Sequence, residues 1–344
     1  MPRAAPLPHP GRSGNDKVTT PALDASALPL ARDDTPGGTV LAGAKAMLRE
    51  ARAPYRSTES FSLDYLHRSL AATHSLRLCP RVGSDDDDWN RRLEEELVAR
   101  SMERQLVESE RAAIASEVRT VPTTERGFIA WFDDVVQNSP AQHDPFFPWL
   151  AERATLPQMR WFLEQELAGD SGLEDLVALA QLRLPSRPKL ELARSYWLEL
   201  GKDHAQGTES SLLGILKHEL RVEPKHVVWE TLALGNLMVA LATCRDYAYQ
   251  AIGALGALEL TLPARAAFID AGLERLGAEA TTRRYFSLSA APDIRHNQAW
   301  RHEVFRPLVA ADPRIGWLLA EGALMRLRAE ARCYARYRRE LSVS

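Results

Sequence analysis

The sequence predicts an all-α protein, a bundle of about seven or more helices, on three observations. After Pro122 apolar residues recur three and four apart in one segment after another, and Pro, Gly and polar breaks divide these segments. No segment sustains the alternation of a strand. In order, the expected helices are 126–137, 147–154, 157–168, 173–182, 188–200 and 210–220. They continue from 226 through 260, then over 265–276, 281–288, 293–308 and 314–341.

Ahead of this series, residues 1 to about 40 carry seven prolines among Gly, Ser, Thr and scattered charge, too little apolar pattern to offset ordering entropy. They read as a disordered leader. Short helices at 44–49 and 65–70 read as peripheral, so residues 1–84 form an extension and 85–344 the helical domain. Asp85 to Asp88 suit the positive N-terminal end of a helix over 89–119, and no EF-hand loop accompanies them.

Composition narrows the function classes. With 344 residues and 45% hydrophobic content the chain buries a core. A formal net charge of −3 and a pI near 6.3 give no reason to expect nucleic acid or a membrane surface as partner. The arginines of 326–339 read as a solvated helix face. Cys79, Cys244 and Cys333 lie far apart without metal spacing, no apolar run approaches ~18 residues, and the N-terminus lacks the apolar stretch of a signal peptide. The expectation is a cytoplasmic protein.

Chemistry concentrates in a few polar residues. Asp293 and His296, three apart, project from one helix face as a carboxylate-x-x-His half-site for iron or manganese. Glu259 stands in the apolar run 251–262, where an ionised carboxylate needs a salt bridge, a hydrogen bond, a metal, or exposure at a helix end before Pro263. Glu199 ends one helix before Gly201, and Glu209 opens the next ten residues later. No phosphate loop, Ser-His-Asp set or dinucleotide fingerprint competes.

With these residues in view, the stretch from about 145 to 309 resembles the haem-oxygenase-like diiron oxidases and oxygenases, or iron-containing redox enzymes, which share the TenA/PqqC-like fold. The resemblance rests on Trp197-Leu198-Glu199-Leu200-Gly201, on the run 253–259 ending in Glu259, and on Tyr285-Phe286 followed by Asp293, His296 and Trp300. It implies six protein ligands around two irons. Glu199, Glu259, Asp293 and His296 stand at matching positions, while Glu209 and Ser289 replace two histidines. Pro292 places a helix start nearby, which makes Ser289 a capping candidate; His204 and His302 are candidate replacement ligands.

Three readings follow. In the first, iron at Glu199, Glu209, Glu259, Asp293 and His296 activates dioxygen to oxidise a small-molecule substrate, with an external electron donor. In the second, one iron or manganese binds Glu199, Glu259, Asp293 and His296. In the third, a metal-free bundle binds a small molecule, its carboxylates held by Arg194, Arg245 or Arg295. Trp197, Leu213, Tyr285 and Phe286 are the expected pocket walls. The catalytic residues and the oligomeric state, a homodimer included, stay open.

Overall fold

Two helices buried on almost every side set the centre of the bundle. The computed structural model describes residues 60–80, 86–169, 172–200, 209–291 and 298–343, and among them the regular structure is helical without a strand. The helices are α1 (Ser60–Leu78), α2 (Asp86–Ala113), α3 (Glu125–Gln137), α4 (Phe146–Glu152), α5 (Leu156–Gly169), α6 (Leu173–Ala180) and α7 (Ser186–Glu199). There follow α8 (Glu209–Glu219), α9 (Trp229–Thr243), α10 (Ala248–Arg275), α11 (Arg284–Ser289), a π-helix (Trp300–Phe305), α12 (Arg306–Ala311) and α13 (Pro313–Leu341). A leader of 1 to about 40 falls outside the described residues.

The apolar run of α9 has no polar stripe, so residues 235–242 are all buried; α10 repeats this from Gln250 to Leu258. α13 is amphipathic and lays Ile315, Leu319, Ala320 and Ala323 against them. Glycine lets α10 and α13 touch through their backbones. A Cβ on Gly253 would overlap the Leu319 carbonyl, and one on Gly322 would overlap the Gln250 carbonyl. Each glycine thus meets the carbonyl three residues before the other, the pattern of two helices crossing side by side in the same direction.

α10 departs from expectation because it does not end before Pro263. The helix runs through the proline to Arg275. Packing on both sides outweighs the missing hydrogen bond, and Leu258, Thr261, Ala266 and Ile269 are buried around it. Over 226–260, in turn, the expected single segment is split: α9 stops at Thr243, and the 3-10 turn Arg245–Tyr247 leads into α10.

α1 is longer than the short helix suggested at 65–70, because it packs on α9 with Leu66 and Leu70 buried. Its His67 ring stacks on Trp229 at 5.7 Å, and Asn236 Nδ2 donates to the His67 carbonyl at 2.9 Å. Burial, helped by Arg332, pushes the His67 imidazole down to about 4. α2 starts at Asp86, within the acidic run.

The arginines of α13 are not one solvated face. Arg326 is only 5% exposed and bonds Glu330 at 2.7 Å, Arg332 bonds Glu110 at 2.7 Å, and Arg338 pairs with Asp144. Only some positions of the run, such as Arg328, face water. Charge counting along a sequence cannot separate these faces; the buried stripe of the helix does.

Candidate metal centre and adjoining cavity

Glu259 lies in the middle of α10, not at a helix end, directly after the sealed run 250–258. The residue is half-buried and its Oε1 is shut off from solvent. Two neighbours alter the local backbone hydrogen bonding. Thr261 Oγ1 turns back to the Ala257 and Leu258 carbonyls at 2.9 and 3.1 Å, and Pro263 lacks the N–H that would reach the carbonyl four residues back.

One turn before Glu259 on the same face, Gly256 leaves a hole that the Phe305 ring fills. Phe305 closes the π-helix, and π segments mark functional sites more often than chance. This π-helix follows the Asp293–His296 stretch. Phe132 and Phe128 pack on the Phe305 ring at 4.6 and 6.0 Å, and Trp300 at 5.9 Å, so the segment is held from several sides.

The elements that border the remaining candidate ligands meet in the same region. α7, which ends at Glu199, packs on the π-helix, where Arg187 grips Glu303 at 2.5 and 2.9 Å. α8, which opens at Glu209, packs on α11, and α11 packs on α10. Asp293, His296, Arg295 and His204 lie outside the described residues, as do the side chains of Glu199 and Glu209. Among the described residues, which include the side chain of only Glu259 of the five expected ligands, no three His, Cys, Asp or Glu groups converge.

Two buried donors fit a centre of this kind. Trp300 Nε1 and Ser195 Oγ are sealed from water and have no hydrogen-bond partner among the described residues. Ser195 stands four residues before Glu199 on the same face of α7. Such donors are what metal-bound carboxylates use to fix their orientation, and the donor set itself, hard carboxylate oxygens with one imidazole, suits iron or manganese.

Several expectations are revised. Ser289 ends α11 and its hydroxyl donates to the Tyr285 carbonyl at 2.9 Å, so it closes its own helix and caps no later one. His302 is exposed on the π-helix. Arg245 donates to the Leu179 and Leu182 carbonyls. Trp197 is 45% exposed and stands outside the cavity that the other three line.

Leu213, Tyr285 and Phe286 do line one, a cavity of about 100 Å³ bordered by α5, α6, α8, α9, α10, α11 and α13. Leu258 and Leu262, on either side of Glu259 in sequence, form part of its wall. Its polar side joins Gln165, Glu166, Thr231, Arg265, Arg326 and Tyr337. Burial alone would lower the Arg265 guanidinium, but Glu166, Tyr334 and Glu330 outweigh it and hold it well above the ordinary range. Burial drives the phenols of Tyr334 and Tyr337 upward. Sequence spacing missed this polar wall because each member reads as an ordinary polar or charged position on its own helix.

No curated protein matches the chain. The model of one family, described as iron-containing redox enzyme, matches residues 160–331, from within α5 to within α13. The match takes in the helices that surround the cavity and every candidate ligand. It covers half of the chain, and the chain belongs to the iron-containing redox enzyme family.

Proposed function

We propose that the protein is a non-haem oxidase or oxygenase that activates dioxygen at a carboxylate-rich di-iron site and oxidises a small organic molecule. Glu199, Glu209, Glu259, Asp293 and His296 would hold the metal. Bound iron would supply the redox chemistry with dioxygen that no side chain offers. The observation that carries this reading is the packing of the Glu259 helix on the π-helix through Gly256 and Phe305, beside α7 and α11.

The chain's own part is to bind, orient and exclude water. Apolar α10 walls off Glu259, Ser195 and Trp300 offer donors to carboxylate oxygens, and the cavity next to Leu258 and Leu262 receives the organic molecule. Electrons come from an external donor. The three cysteines are unpaired thiols, which suits a reducing cytoplasm.

The test is anaerobic purification, reconstitution with ferrous iron, and a count of metal per chain. Two irons in the wild type and a loss in Glu259→Ala support the reading; one iron supports a mononuclear site, and manganese in competition tests the metal's identity. No iron in either protein would overturn it. A metal-free small-molecule-binding bundle then stands, favoured by a cavity lined by both polar and apolar side chains.

A further inference from the structure

The polar wall of the cavity contains a cation with donors to spare. Gln165 accepts from Val228 N at 3.0 Å and from Thr231 Oγ1 at 3.3 Å, and Thr231 shares a 2.7 Å bond with the Tyr337 hydroxyl. Arg265 donates to the Tyr334 hydroxyl at 3.1 Å and faces Glu166 at 3.6 Å. Arg326 differs. Its side chain is 6% exposed, its one hydrogen-bond or ion-pair partner among the described residues is Glu330, and its Nε has none.

The register of the two central helices places this guanidinium. Gly253 stands opposite Gly322, and twelve residues on, Arg265 reaches Tyr334, so the offset holds along the pair. Arg326 is therefore level with Ala257 and Leu258, within about a turn of Glu259 along α10. Leu213, Leu234, Met238 and Leu262 supply apolar parts of the same wall.

We propose that Arg326 anchors the substrate by a carboxylate, and that the substrate's short apolar body lies along the leucine wall toward the Glu259 region. In naming the bound molecule a substrate, this inference rests on the iron-enzyme reading. Arg326 keeps a donor that Glu330 leaves unused, and because Arg265 with Glu166 and Arg326 with Glu330 sum to zero, a carboxylate adds one uncompensated charge to the wall and a phosphate dianion two. A guanidinium in a water-poor wall binds a carboxylate by charge-assisted hydrogen bonds, and a neutral amide or alcohol more weakly.

The test uses the full chain with chelator present, so that no metal can hold the carboxylate. Hexanoate, hexanamide, hexanol and hexylamine are titrated calorimetrically. Hexanoate is expected to bind at least about tenfold more tightly than the neutral pair, and hexylamine more weakly still. Arg326→Met erases that preference, while Arg326→Lys keeps part of it. Should Arg326→Met fail to fold with Glu330 left alone, Arg326→Met with Glu330→Met removes the whole pair and reports the same preference.

Equal binding of hexanoate and hexanamide, no hexanoate binding, or an undiminished preference in the Met variants would each overturn the proposal. A wild type that binds hexanoate selectively but no iron refutes the metal reading alone. One that binds iron without hexanoate preference refutes only the anchor.

Discussion

Gly256 and Phe305 share one space: the ring of the π-helix fills the place where a side chain at position 256 would begin. The contact joins the helix that carries Glu259 to the segment that follows His296. Gly256→Ala is expected to destabilise the protein by about 1–3 kcal/mol, since the ring must leave its place between Phe132 and Trp300. Gly214, on the exposed face of α8 with nothing within 4 Å, is the control, and Gly214→Ala should gain about 0.5–1 kcal/mol. Denaturant melts of the two variants decide it, and equal effects would dismiss the contact.

Iron retention should separate Glu259 from His302. Glu259→Gln keeps the shape of the side chain but removes a charged ligand, so most bound iron should be lost. His302 is exposed, so His302→Ala should leave iron content unchanged and stability within about 0.5 kcal/mol. Metal analysis after gel filtration checks both, and iron loss in His302→Ala would put the centre elsewhere.

Trp300→Phe removes a buried N–H that has no partner while keeping the aromatic ring. In metal-free protein the change should cost about 1–3 kcal/mol, from the cavity that the smaller ring leaves and not from a broken hydrogen bond. Iron affinity should fall about tenfold or more if the indole orients a carboxylate ligand. Unchanged affinity, measured by competition with a chelator, would assign Trp300 to the core alone.

Acid should act through His67. Its folded value of about 4 lies below the ordinary 6.5 of an imidazole, so the unfolded chain binds more protons between these values and stability falls as pH drops through that window. Above 6.5 the contribution is fully present. For a residue 1% exposed the loss is on the order of 3 kcal/mol. His67→Phe keeps the stacking on Trp229 and should flatten the pH dependence of urea midpoints between 4 and 6.5. An equally steep dependence in the variant would exonerate His67.

The amino-acid sequence by itself determined the helices and the family's motif positions. Its 3.6-residue periodicity is a local property, which is why boundaries such as Pro313–Leu341 and Glu125–Gln137 fall within a residue of expectation. It also marked Glu259 as anomalous, because a carboxylate in a run of small apolar residues is costly wherever the chain folds. The tertiary structure decided what depends on neighbours distant in sequence. Pro263 stays inside α10 because packing outweighs one lost hydrogen bond, and Ser289 is taken up by its own helix. Arg326 turns inward while Arg328, two residues on, faces water. Composition is the same for both arginines. Only the helix face that α10 covers tells them apart, and with it the cavity wall that gives Arg326 its role.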